Sequence, residues 1–231
     1  MSSQPITKSP TNTRQIKRQG QILPVLSSVQ LALFGLLTWV VRKHAVLPID
    51  ILISRRLQKY HSPILRYGTI TVSNCNKAGL LDILVIPLTA ALWKARLRLE
   101  TVMTVGTCLT ATLLRLGLRQ GINRPRPHAP LVKVKQKPHG KSFPSGHVIS
   151  SINFWGWLFI LGTRLLKGEP AWQKGILSVP VLVVMLVGPS RIYLGDHWAS
   201  DVLGGYLFGS SWLCLSFWLY QTLKNRGVLS S

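Results

Sequence analysis

SRIYLGDHWASDVLGGYLFGSSWLCLSFWLY, residues 190–220, places an arginine, a histidine and two aspartates at the mouth of an apolar run that carries no charge from Val202 onward. A run of this length reads as a membrane-spanning helix over about 200–222, because a helix satisfies its own backbone polar groups inside a hydrocarbon core about 30 Å thick. The polar head of the stretch then lies at the bilayer surface. His197 and Asp201 are four residues apart, so on a helix they share one face a turn apart. A carboxylate so placed can hold one ring N–H and leave the other nitrogen as an oriented nucleophile.

The rest of the chain has the same character. Nearly half of the 231 residues are hydrophobic, gathered into long runs between short basic clusters, which indicates an all-α polytopic membrane protein. With no internal repeat and no second regime of composition, a single domain is expected. ILPVLSSVQLALFGLLTWVV, 22–41, is the first span. Others are expected at about 68–93, 99–118, 147–166 and 175–189, and the opening run makes six. Residues 42–66, where LPIDILIS leads into Arg55, Arg56 and Lys59, read as an interfacial helix after the first span. Residues 1–21 are polar, basic and free of acid, and read as a disordered cytoplasmic tail, with an organellar transit peptide as the alternative. The domain proper is 22–223, and 224–231 is a short C-terminal tail.

Lys and Arg number 28 against 6 Asp and Glu, a formal charge of +22. In a soluble protein that balance points first to nucleic acid. Here the basic residues lie between spans, so membrane lipids and a phosphate-bearing lipid substrate are the expected partners, with no nucleic acid. Loops on both sides are basic, and charge counting alone does not orient the bundle. Cys75, Cys108 and Cys214 are far apart, with no CxxC or Cys/His pairing, and indicate neither a zinc site nor a disulfide framework.

Three polar stretches fall on one side of this bundle: RQGINRPRP at 119–127, SFPSGH at 142–147, and the opening stretch at 190–201. Each sits at a span end, so four helix ends can converge on one pocket at the membrane surface. Its contents point to phosphate. Arg119, Arg126 and Arg191 bring fork-shaped, permanently charged donors suited to bidentate phosphate contact. Ser145 and Gly146 immediately precede a helix whose free N–H groups and dipole favour an anion. His147 is placed to protonate a leaving oxygen. No metal or other cofactor is expected, since the six acids, Asp50, Asp82, Glu100, Glu169, Asp196 and Asp201, are scattered and poorly suited to a two-metal centre. The arginines can neutralise a phosphoryl group in transfer instead.

These stretches resemble the three motifs of the type 2 phosphatidic acid phosphatase superfamily, K-x6-RP, PSGH and SR-x5-H-x3-D. Pro144, Ser145, Gly146 and His147 match the second in full, as Ser190, Arg191, His197 and Asp201 match the third. Arg126 and Pro127 match the end of the first, whereas Arg119 stands where the family has lysine. The resemblance implies a six-span helical bundle and a metal-independent membrane phosphatase. His197 would take the phosphoryl group, Asp201 would orient it, and His147 would act as acid and later help activate water. Arg119, Arg126, Ser145, Gly146 and Arg191 would hold the phosphate. The implied substrates are phosphatidate, lysophosphatidate, phosphatidylglycerophosphate and polyprenyl diphosphate, met on the non-cytoplasmic face. A bacterial-type plasma (inner) membrane is the expected location, with a thylakoid or other organellar membrane as the alternative. A lipid phosphotransferase of the same family, or a non-catalytic lipid-phosphate binder or carrier, are the alternative functions.

Other polar residues have plainer readings. Arg42, Arg115 and Arg164 are expected to snorkel to head groups, and Asp82 to be interfacial or paired. Asp196 reads as solvated or as a loop brace. Gly205 and Gly209 form a GxxxG pair for close helix packing. Lys133, Lys135, Lys137 and Lys141 read as a solvated, head-group-facing loop, or as one that attracts anionic substrate.

Overall fold

The computed structural model describes residues 10–60, 62–135, 140–166, 168 and 170–229. Residues 1–9 and 230–231 of the two expected tails, Lys137 and Glu169 lie outside the described residues, and residues 10–21, expected to be disordered, are helical as the start of α1. Among the described residues the fold is entirely helical: α1 (Pro10–Lys43), α2 (Pro48–Leu57), α3 (Pro63–Cys75), α4 (Ala78–Lys94), α5 (Arg98–Gly121), α6 (Gly146–Ser151), α7 (Trp157–Leu165), α8 (Ala171–Gly175), α9 (Ser178–Tyr193) and α10 (Ala199–Asn225). A π-helical turn, Ile152–Gly156, joins α6 to α7. The starts of α2 and α3 follow the local chemistry, since Pro48 and Pro63 occupy the first turn, where no backbone N–H is missed.

Four helical segments are long and apolar enough to cross a bilayer: Gln21–Lys43, Arg98–Gly121, Gly146–Leu165 and Ala199–Asn225. They coincide with the first, third, fourth and sixth expected spans. The other two depart from expectation. The second folds as α3 and α4, bent by 58° at the break. Asn76 fixes that break: it is buried, donates to the Val72 carbonyl at 2.7 Å, and accepts from Ser151 Oγ at 2.9 Å and Trp155 Nε1 at 3.0 Å. The fifth is α9, whose 16 residues rise only about 24 Å, short of the core thickness. Six spans are therefore not established by length; four are, or five if the bent pair counts as one.

α10 is the axis of the bundle. α1 lies along it, with Ser27 and Ser211 hydroxyls 2.8 Å apart and Phe34 packed on Phe208 and Phe143. The outer face of α1 leaves Val25, Val29, Leu36 and Trp39 exposed, as a lipid-facing surface requires. On its other side α10 meets α6 and the π turn with almost no gap. A Cβ on Gly205 would stand 2.9 Å from Val148 Cβ and 3.0 Å from the Ser145 carbonyl, and one on Gly209 3.3 Å from Ile149 Cα. The GxxxG reading as close packing holds. Among the polar groups within the spans, Trp157 Nε1 donates to Thr104 at 2.8 Å, and Glu100 accepts from Tyr220 and Lys224, each at 2.8 Å.

Candidate active site

The C-terminal ends of α5 and α9 and the N-terminal ends of α6 and α10 meet at one end of the bundle, and the residues singled out from the three motif stretches meet there. α10 begins after Trp198, with Asp201 in its first turn accepting the Trp198 backbone N–H at 2.8 Å. The carboxylate thus closes its own helix end. It also accepts from Arg124 Nη1 at 2.5 Å and from the Ser142 hydroxyl. Held in this way, Oδ2 faces His197 Nδ1 at 3.5 Å. That nitrogen is buried and makes no hydrogen bond. Nε2 is the ring nitrogen left for other chemistry. His197 and Asp201 are 2% and 0% exposed.

The second stretch is joined to this pair through the backbone, Ser145 N–H donating to the Asp201 carbonyl at 3.0 Å. Ser145 caps α6, and its hydroxyl is buried without a partner. His147 follows in the first turn of α6, its ring centre 6.5 Å from that of His197. The two imidazoles are close enough for one phosphoryl group to lie within reach of both.

The three arginines come from different elements. Arg191, in the last turn of α9, pairs with Asp196 through Nη2 and donates to Ser73 through Nη1, while its Nε is buried and unpartnered. Arg126 donates to the Asp196 carbonyl at 2.8 Å and to the Gly140 carbonyl at 3.1 Å. Arg119, at the end of α5, donates to the next carbonyl, Lys141, at 3.0 Å. Burial and the neighbouring Arg119 charge push the Arg126 guanidinium down to about 10, still protonated at neutral pH. Cations gathered with few acids, together with the orphaned donors Arg191 Nε and Ser145 Oγ, have the chemistry to hold an anion.

Some residues behave differently from their sequence reading. Asp196 is 4% exposed and braces Arg191 and Arg126; it is a loop brace and is not solvated. Arg115 does not snorkel. It is buried one turn before Arg119, with Nη2 3.7 Å from Asp82 and its Cδ 3.1 Å from where a Gly146 Cβ would be. Asp82, which also accepts from Thr112 at 2.9 Å, is a paired structural acid. Lys135 and Lys141 are tied to the protein: Lys135 Nζ lies 3.3 Å from the centre of the Tyr193 ring, and Lys141 Nζ donates to the Gln120 carbonyl at 2.9 Å. Sequence reading missed Arg124, Asp50, Ser142 and Ser200, which surround Asp201. The available signals were the doubled Arg-Pro of RPRP and an acid inside the apolar LPIDILIS.

The chain is similar to several known proteins. A family model described as the PAP2 superfamily matches residues 98–225. Phosphatidylglycerophosphatase B of Bacillus subtilis (strain 168) is 28% identical over 177 residues, 76% of this chain and 85% of that protein. An undecaprenyl-diphosphatase of Sulfolobus acidocaldarius is 36% identical over 84 residues, 35% of this chain and 34% of that one. The crystal structure of a transmembrane PAP2 type phosphatidylglycerolphosphate phosphatase from Bacillus subtilis superposes with a TM-score of 0.70 at 24% identity, covering 87% of this chain and 96% of that one. Since the family model spans more than half of the chain, the protein belongs to the PAP2 superfamily and is an integral membrane phosphoric ester hydrolase of that family.

Proposed function

We propose that the protein hydrolyses a lipid phosphate at the membrane surface through a phosphohistidine on His197. The observation that carries this reading is the meeting of His197, backed by Asp201, with His147 and three arginines that have few acids to satisfy them. In the first step His197 Nε2 attacks phosphorus, the P–O bond to the lipid breaks, and the lipid oxygen leaves with a proton from His147. In the second, water attacks phosphorus as His147 takes its proton, the P–N bond breaks, and inorganic phosphate leaves. Arg119, Arg126 and Arg191, with Ser145 and the N–H groups at the start of α6, hold the phosphoryl oxygens through both steps. Asp201 fixes the ring and balances the charge that arises on it. Arginine at 119 keeps the charge of the family lysine and offers three donor nitrogens in a planar fork where lysine has one.

Substrates of the phosphatidate, lysophosphatidate, phosphatidylglycerophosphate or polyprenyl diphosphate class suit a site at helix ends, where the head enters and the chains stay in the bilayer. The names of the relatives favour the latter two. The reading takes α3 with α4 as one span and α9 as another, six in all. Residues 1–21 are then a tail, 22–223 the phosphatase domain and 224–231 a second tail, with the site on the non-cytoplasmic face of a bacterial-type inner membrane. The test is phosphate release from these four lipid classes by detergent-purified protein in EDTA, against His197→Gln. Release from at least one class by the wild type, and none by the variant, is expected. Equal release by both, or release abolished by EDTA, overturns the reading.

A further inference from the structure

Behind the two histidines lies a layer of charge sealed from solvent. Arg124 and Asp50 have side chains 0% exposed, and Arg124 Nη2 donates to Asp50 Oδ2 at 2.6 Å while Nη1 donates to Asp201 Oδ1 at 2.5 Å. Arg124 also donates to Ser200 Oγ at 2.7 Å and to the Ala45 carbonyl at 2.8 Å. The two carboxylates occupy equivalent places. Asp50 is in the first turn of α2 and faces the Leu47 N–H at 3.4 Å, as Asp201 does the Trp198 N–H in α10. Arg124 therefore bridges the N-terminal turns of two helices through the acid that closes each. Asp50 completes the bridge by accepting the Ser200 N–H and hydroxyl, each at 2.8 Å. Arg124 also sets Ser142, whose N–H donates to the Arg124 carbonyl at 3.0 Å and whose hydroxyl donates to Asp201.

We infer that Arg124 and Asp50 are positioning residues for phosphoryl transfer, acting through Asp201 without touching substrate. Buried ion pairs seldom out-stabilise apolar packing of the same volume, so the network has another use. Donors on both carboxylate oxygens leave Asp201 no rotation, and Oδ2 stays aimed at His197 Nδ1. Asp50, Arg124 and Asp201 together carry one net negative charge, which balances the positive charge that appears on His197 as its P–N bond forms. Removing the Asp50 charge makes the group neutral, and shortening Arg124 lets Asp201 turn.

This inference rests on His197 as the reacting group. Its test is Asp50→Asn and Arg124→Lys in the full chain, with kcat, KM, inhibition by inorganic phosphate and thermal unfolding measured in detergent. Both variants are expected to fold and to lose about 10- to 100-fold in kcat, the scale seen when an outer partner of a working group is removed. The inhibition constant of phosphate should move less than about threefold, because the direct phosphate ligands are untouched. Folded variants with wild-type kcat overturn the inference, as does weakened phosphate inhibition with kcat unchanged. Should Arg124→Lys not fold, the near-isosteric Asp50→Asn carries the test, and failure of both to fold makes the network a folding element and overturns the positioning role. Activity surviving in His197→Gln is a separate result and sinks the underlying reading.

Discussion

Burial pushes the His197 imidazole down to about 4, although the neighbouring Asp201 carboxylate pulls it upward. The nucleophilic role proposed for His197 needs a free lone pair, and a ring held neutral across the physiological range has one. The sign for stability follows. Between about 6.5, the ordinary value, and about 4, the unfolded chain binds the proton and the folded one does not, so this residue makes stability fall as pH falls through that window. In nitrogen NMR of ring-labelled protein, with His197→Gln used for assignment, His197 should remain neutral from pH 8 to 5. A midpoint near 6.5 would show an open, solvated ring. The His197–Asp201 pair was legible from the third motif, but its helical spacing was not the reason they meet. His197 precedes α10, and Asp201 faces it by turning back over the helix start, where it accepts the Trp198 N–H. Arg124 was not legible, since an arginine sealed against two carboxylates has the same letter, in the same RPRP, as the Arg126 that faces the site.

Among elements, α6 and α10 depend on each other most closely. Gly205 lets the Ser145 carbonyl and Val148 approach the α10 backbone, and Ser145 is both the cap of α6 and a candidate phosphate ligand. Gly205→Ala is expected to destabilise the fold by about 1–3 kcal/mol through overpacking and to reduce turnover as Ser145 shifts. Gly35→Ala, with nothing within 4 Å of the added carbon, is the matched control and should leave both unchanged. Thermal unfolding and activity in one detergent check the pair; equal behaviour of the two variants would contradict the packing argument. The four long spans were legible because length and hydropathy are local properties. The α3–α4 bend was not, because Asn76 anchors it to Ser151 and Trp155, partners 75 and 79 residues away. Likewise Arg115 looked like a surface arginine until α4 brought Asp82 beside it.

At the scale of the molecule, antiparallel helices bring residues from 50 to 201 to one end of the bundle, and the outward apolar faces keep that end at a membrane surface. The motifs announced the inner ring of this site, the histidines, Asp201 and the three arginines. The sealed layer behind it comes from α2, which reads from sequence only as an interfacial helix. In the function proposed for it, this arrangement serves one chemical event, the formation of a covalent phosphoryl group on His197. The direct measurement is a rapid alkaline quench of the protein turning over a lipid labelled in its phosphate, followed by counting label bound to protein. Label that survives base, is released by acid, and is missing in His197→Gln is the predicted result. Label absent from the wild type throughout turnover, or equally present in the variant, would contradict the account.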